Sequence, residues 1–283
     1  MRIKKVINNN ILCAIDEKGN ELIVTGKGIG FKRFTGEVIE QEKIEKIYRM
    51  EGKEEQRKLR ELVEQIPLEH LRLTQELIEY IETQISHSLN ESLLITLADH
   101  ISFAIQRKEK GIEFSNPLSG PVMCYYPAEY MAGKYCLTQI EEKCKVRLNS
   151  DEATFIALHI VNAEMNTKMG QVYDITKILD GSIQIAGEYY QKKWNEESVD
   201  FSRFVVHLRY LIWRTFQGKG METKEKEEDI LFREMVKQNY KEHYFCAQQI
   251  VSYIQKMCGK SISDEEKVYM TIHLKRLSRD EES

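Results

Sequence analysis

The stretch HISFAIQR at residues 100–107 returns as HLRYLIWR at residues 207–214. Both follow H-x-x-[FY]-x-I-x-R, and Leu94 and Leu97 upstream of the first correspond to Phe201 and Phe204 upstream of the second, an offset of 107 residues. A second block repeats at a constant offset of 114. It pairs Ile140 with Ile254, Cys144 with Cys258, Leu148 with Ile262, Asp151-Glu152 with Glu265-Glu266, Phe155 with Tyr269, Leu158 with Ile272 and His159 with His273. About seven residues were therefore added between the blocks of the second copy. Apolar residues three and four apart run through both copies, the spacing of a helix with one buried face. The body of the chain reads as two helical bundles of about 105 residues in series, joined near residue 170.

Upstream of this duplication the pattern changes from helical to β. Ile3–Ile7, Ile11–Ile15 and Glu21–Thr25 are short β-rich runs, separated by Asn8-Asn9-Asn10 and by a turn containing Gly19-Asn20. Gly26-Lys27-Gly28-Ile29-Gly30 leads into Phe31-Lys32-Arg33-Phe34, which suggests a fourth strand and a small antiparallel sheet. A sheet of roughly 50 residues has two faces and little to cover them. Dimerisation through one face is the expected remedy.

Charge is uneven along the chain. Residues 1–36 hold seven basic and three acidic groups, a net of +4, so the other 247 residues carry −8 of the total of −4. That excludes a uniformly basic nucleic-acid coat and points to a cationic head on an acidic body. With 42% hydrophobic and 30% charged residues, wholesale disorder is excluded too. No run approaches the ~18 apolar residues of a membrane helix, and MRIKKVINNN holds no apolar signal core. Six cysteines without a C-x-x-C pair read as reduced core thiols, so the expected location is the cytoplasm. Residues 51–63, EGKEEQRKLRELV, read as a charged helical connector. The proline-punctuated stretch 114–128 reads as a loop.

Four of the seven histidines, His100, His159, His207 and His273, fall at equivalent repeat positions inside apolar helical runs. A half-buried packing histidine is one reading. The alternative is imidazole as a phosphoryl acceptor, because a neutral ring nitrogen is nucleophilic near pH 7. Metal ligation fits poorly, since no i, i+4 histidine pair or clustered cysteine is present, and no nucleophile elbow suggests hydrolysis. Neither a metal nor a cofactor is expected. Arg107 and Arg214 lie seven residues after their histidines, about 10 Å along the same helix face. They are either phosphate partners or the solvated end of an amphipathic face. Asp99 is either a group orienting His100 or a surface acid; Val206 stands at its place in the second copy. The basic head, with its amides, glycines and Phe31, is either a surface that approaches RNA or a soluble dimerisation sheet.

The run KVINNNILCAIDEKGNELIVTGKGIGF (5–31) resembles the co-antiterminator RNA-binding domain of BglG/SacY-type transcriptional antiterminators. ADHISFAIQR (98–107), DEATFIALHIVNAE (151–164), VVHLRYLIWR (205–214) and EKVYMTIHLKR (266–276) resemble the histidine motifs of their two phosphotransferase-system regulation domains, closest to the LicT-like β-glucoside type. The resemblance covers the whole chain. It implies a dimeric β-sheet RNA-binding domain at 1–56, a helical linker at 57–64, and two homologous all-α regulation domains at 65–170 and 171–283. It implies RNA contacts from Lys5, Asn8, Asn10, Gly26, Lys27, Gly28 and Phe31, where lysine at 27 keeps a charge but lacks arginine's bidentate fork. It implies phosphorylation of His100 and His159 by a sugar-specific permease (enzyme II), and of His207 and His273 by the phosphocarrier HPr. The implied partner is a leader-mRNA hairpin, gripped by a homodimer that keeps a terminator from forming. The implied protein is a regulator, not an enzyme, and is not inserted in a membrane. A histidine phosphotransfer protein is the alternative. A DNA-binding activator would need a helix-turn-helix that the first 50 residues do not offer.

Overall fold

The computed structural model describes residues 1–9, 11–17, 19–49, 66–90, 92–167, 169–218 and 227–279. The head is a four-stranded antiparallel sheet of β1 (Arg2–Asn8), β2 (Ile11–Ile15), β3 (Glu21–Thr25) and β4 (Lys46–Arg49), in the order β1-β2-β3-β4. Register is regular between β2 and β3, with Ile11 opposite Thr25 and Leu12 opposite Val24, and shifts twice between β1 and β2. Three strands lie where the sequence places them. The fourth does not: the residues after Gly26 are turns rather than a strand. Gly28 (φ 68°) and Lys32 (φ 54°) adopt left-handed backbone, which breaks an extended run. The chain then passes a short 3-10 turn (Gln41–Lys43) before β4 closes the sheet.

Alternation along β2 and β3 buries both faces. Leu12, Ala14, Leu22 and Val24 point one way and, with Ile3, Ile29 and Ile39, make a satellite core covered by the head's own loop. Ile11, Cys13 and Ile23 point the other way and join the buried cluster of the first helical bundle, which includes Leu71, Leu77 and Leu94. Within one chain, the face the sequence left uncovered is therefore covered by helices.

The first bundle comprises α1 (Leu68–Gln84), α2 (Leu93–Glu109), α4 (Pro127–Cys144) and α5 (Glu152–Met165). The second comprises α6 (Met169–Tyr190), α7 (Val199–Phe216), α9 (Lys241–Cys258) and α10 (Asp264–Leu277), with α8 (Glu227–Asn239) beside α9 and α10. The buried stripe of α2 (Leu94, Leu97, Ala98, Ile101, Ile105) has its counterpart in α7 (Phe201, Phe204, Val205, Leu208, Ile212), as the repeat demands. Equivalent helices pack in equivalent pairs: α2 on α5 and α4 on α5 in one bundle, α7 on α10 and α9 on α10 in the other.

The stretch 114–128 is not one loop. Ser119–Tyr125 forms a short helix, α3, with Pro121 in its first turn, and Pro127 is the first residue of α4. Proline is tolerated there because first-turn amides have no partner inside the helix. The described chain divides into two compact units: Met1–Pro117 with Tyr126–Thr167, and Leu118–Tyr125 with Lys168–Ser283. Tyr125 is tied within the second unit by a 2.7 Å hydrogen bond to Asp180 Oδ1. The connector at 51–63 and the linker expected at 57–64 lie outside the described residues.

Helices α4 and α9 both end in a left-handed residue, at positions 114 apart: Lys145 (φ 58°) and Gly259 (φ 66°). Glycine adopts that conformation freely, whereas a side chain strains it. Lys145→Gly is expected to stabilise the first bundle by about 1 kcal/mol, read as a raised unfolding midpoint in denaturant. Gly259→Lys should lower stability by a similar amount.

Candidate functional site

Two surfaces gather the residues singled out by the sequence. The first is one end of the sheet, where β1 ends, β2 begins and β3 ends. The glycine loop is fastened to the β1–β2 turn by a 2.9 Å bond from Gly30 N–H to the Asn9 carbonyl, and to the segment before β4 by Lys27 N–H donating to Glu45 Oε1 at 3.1 Å. Gly26 is buried where a Cβ would stand 1.8 Å from the Lys43 carbonyl oxygen, so only glycine fits. That close approach draws the segment before β4 against the end of β3. Lys27 is exposed, and Phe31, 56% exposed, carries the Lys32 ammonium 5.5 Å from its ring centre. An aromatic ring in water with Lys32 beside it, on the same loop as exposed Lys27, suits stacking on an unpaired base with phosphates nearby.

Not all of the head's positive charge faces outward. Lys4 is paired with Glu21, and Arg33 with Glu37 and Glu40. Lys5 is exposed on β1, opposite Cys13. Asn8 closes β1, but its side chain is outside the described residues, as is all of Asn10. A cleft of about 270 Å³ runs from Gly26 and Lys27 to Leu71, Arg72 and Gln75 of α1.

The second surface is duplicated. His100 on α2 faces His159 on α5, ring centres 5.0 Å apart, and His207 on α7 stacks on His273 of α10 at 4.5 Å. The repeat showed four equivalent histidines; packing turns them into two facing pairs. All four are half-buried, and His207 and His273 border an open groove with Val199, Val206 and Tyr210. Burial, reinforced by the neighbouring ring of His100, pushes His159 down to about 3. His207 is held down to about 4 by burial, by His273 and by the Arg214 guanidinium. Burial lowers His273 as well, with Arg276 adding to it. These rings are neutral at pH 7, the form in which a ring nitrogen has a lone pair to offer.

Each pair has a carboxylate beside it, buried in the first bundle and half-buried in the second, that the sequence did not single out. Arg107 Nη2 donates to Glu152 Oε1 at 2.8 Å, and His100 Nε2 stands 3.0 Å from Glu152 Oε2. In the second bundle Arg214 donates to Glu266 Oε1, with His207 Nε2 3.9 Å from Oε2. Arg107 is only 7% exposed and lies over the rings of Phe103 (4.9 Å) and Phe114 (4.5 Å). The reading of Arg107 as the solvated end of an amphipathic face is therefore set aside. Asp99 is exposed on α2, and the carboxylate at His100 Nε2 belongs to Glu152. A signal for this group was present: Glu152 and Glu266 each lie seven residues before a repeated histidine, two helical turns along one face.

Among the described residues, no three potential metal ligands cluster, and no helix is long and apolar enough to cross a membrane. The model of the CAT RNA binding domain matches residues 1–57, and that of the PRD domain matches twice, at 75–163 and 181–277. The chain is 37% identical over 277 residues to the transcription antiterminator LicT of Bacillus subtilis (strain 168), covering 98% of this chain and 99% of LicT. It is 34% identical to the beta-glucoside operon antiterminator of Dickeya chrysanthemi and 33% identical to the PtsGHI operon antiterminator of Bacillus subtilis (strain 168), in each case over 98% of this chain and 96% of the relative. Among solved structures, the crystal structure of GlcT CAT-PRDI superposes with a TM-score of 0.51 at 36% identity, over 58% of this chain and 97% of that one.

The lowered histidine values make stability depend on pH. Between about 6.5 and 4 the unfolded chain binds protons that the folded His207 ring refuses, so stability is fully present above 6.5 and declines as pH falls through that window. The expected slope is at most about 1.4 kcal/mol per pH unit for each such ring. Thermal unfolding at pH 7 and pH 5 should show the loss, and His207→Gln should flatten it. A second-bundle midpoint independent of pH over that range would contradict the assignment.

Proposed function

This chain belongs to the family of transcription antiterminators that join a CAT RNA binding domain to two PRD domains, and on that premise we propose that it binds a leader-mRNA hairpin as a dimer and keeps the overlapping terminator from forming in a sugar-utilisation operon. Its working parts are the head at 1–56, the linker at 57–64 and regulation domains at 65–170 and 171–283. It acts in the cytoplasm as a regulator rather than an enzyme, and it needs no cofactor. The observation that carries the reading is a basic, aromatic end of the sheet on the same chain as two facing pairs of histidines.

On the RNA side, Phe31 offers a ring for an unpaired base. Lys5 and Lys27 supply charge to phosphates, Asn8 and Asn10 supply amide groups for base edges or 2′-hydroxyls, and Gly28 lets backbone approach the strand, while Gly26, buried against the Lys43 carbonyl, acts by shaping the loop that presents them. On the regulatory side, His100, His159, His207 and His273 accept phosphoryl groups from phosphorylated donor proteins. The lone pair of an acceptor nitrogen forms a new P–N bond as the donor's bond to phosphorus breaks. The proton released by the acceptor ring goes to the donor's leaving atom, so the exchange consumes nothing else. A sugar-specific permease supplies the first bundle and switches the protein off; HPr supplies the second and switches it on.

Each transfer adds a group with up to two negative charges and three acceptor oxygens to a half-buried ring. Ile11, Cys13 and Ile23 of the head pack on the first bundle's own core, so a rearrangement of that bundle reaches the head directly. A change of a few kcal/mol in the bundles suffices to move an equilibrium between inactive and RNA-competent states from mostly off to mostly on.

The test uses the full chain in a gel shift, with a leader hairpin and a DNA duplex of the same sequence. Tight binding to the RNA alone is expected, weakened roughly tenfold or more by Phe31→Ala, the size of one lost base stack. In transcription assays, the His207→Ala, His273→Ala double variant should lose its response to phosphorylated HPr. Equal affinity for RNA and DNA would overturn the reading.

A further inference from the structure

In each bundle the same two buried atoms lack a hydrogen bond: His100 Nε2 and Glu152 Oε2 in the first, His207 Nε2 and Glu266 Oε2 in the second. They stand 3.0 Å and 3.9 Å apart, near enough for charge to be felt but off the line of a hydrogen bond. The other oxygen of each carboxylate is held by Arg107 or Arg214. Buried polar atoms left unsatisfied cost free energy, and the same defect arises twice from sequences that otherwise differ. The resting site is thus a carboxylate gripped on one side and idle on the side that faces the histidine.

We infer that Glu152 and Glu266 are positioning residues that hold the arginine while the histidine is unmodified and surrender it once a phosphoryl group arrives. The inference rests on the histidines being phosphoryl acceptors, as proposed above. A phosphoryl group on the ring brings three acceptor oxygens into a space already occupied by a carboxylate. The two anions repel each other and compete for the guanidinium, and the phosphoryl group, with the larger charge and three acceptor oxygens, takes it. The arginine has no need to travel. Arg107 is clasped between Phe103 and Phe114, and Arg214 lies over Tyr210 with 5.3 Å to the ring centre. What moves is the carboxylate, and with it the first turn of α5 or α10, where Glu152 and Glu266 sit. Arginine exchange therefore converts a local modification into a displacement of a helix end. No bond other than the P–N bond already described forms or breaks.

The experiment treats the full chain with potassium phosphoramidate, which phosphorylates histidine without a protein donor. Occupancy of His207 is read by 31P NMR and site-resolved mass spectrometry. Glu266→Gln, which frees Arg214 for the phosphoryl group, is expected to raise steady-state occupancy roughly tenfold. Arg214→Ala is expected to lower it by a similar factor, the scale of one charge-assisted hydrogen bond. The two substitutions break the same ion pair yet push in opposite directions, which a merely structural pair would not do. Arg214→Lys should fall between wild type and Arg214→Ala. Glu152→Gln and Arg107→Ala repeat the comparison at His100 should a second-bundle variant fail to fold. Shifts of the same sign in both members of a pair overturn arginine exchange. A wild-type chain that accepts phosphate from phosphoramidate but not from phosphorylated HPr overturns the functional reading alone.

Discussion

Burying Glu152 against Arg107 inside an apolar bundle removes two charges from water, and each is tolerable only while the other stays within hydrogen-bond distance. That requirement sets how α2 and α5 lie against each other, because Arg107 sits near the end of one and Glu152 at the start of the other. Once the two helices are so aligned, His100 and His159 face each other without further instruction. The second bundle meets the same requirement with Arg214 and Glu266, and the same facing pair results. Removing one partner of such a buried pair leaves an uncompensated charge, which costs roughly 3–5 kcal/mol. The ion pair is thus a constraint on geometry more than a source of stability.

The head obeys a different constraint. A sheet this small has too little interior of its own, so each face has to be covered by something else. Its loop covers one face through Ile29 and Ile39, and the first bundle covers the other through the cluster that includes Leu71 and Leu94. The end left in water is where Lys27 and Phe31 lie, next to the buried Gly26. The carbonyl of Lys43 presses on Gly26, so the shape of that end depends on a residue 17 positions away. Sensing and binding meet physically in the sheet face that rests on the sensor's core.

Periodicity was legible wherever one face of an element is buried. The three first strands, the helical body and the tandem repeat all show it, and the repeat alone placed the four histidines at equivalent sites. It failed where backbone conformation rather than burial decides. Phe31–Phe34 has a strand's composition, yet Gly28 and Lys32 turn the chain before it can extend. Ser119–Tyr125 carries a proline, yet its place in the first turn leaves the helix intact.

The sequence by itself determined the β-then-α order, the duplication, the cationic head and the set of histidines, because burial periodicity and net charge are properties of residue order. Only the tertiary structure decided that the histidines meet in pairs, that Arg107 is enclosed rather than solvated, and that Glu152 and Glu266 stand between them. These facts depend on which helix face meets which, across 45 residues in one bundle and 52 in the other. No local spacing encodes a contact of that range; it emerges when the chain must bury its apolar stripes and its few charges together.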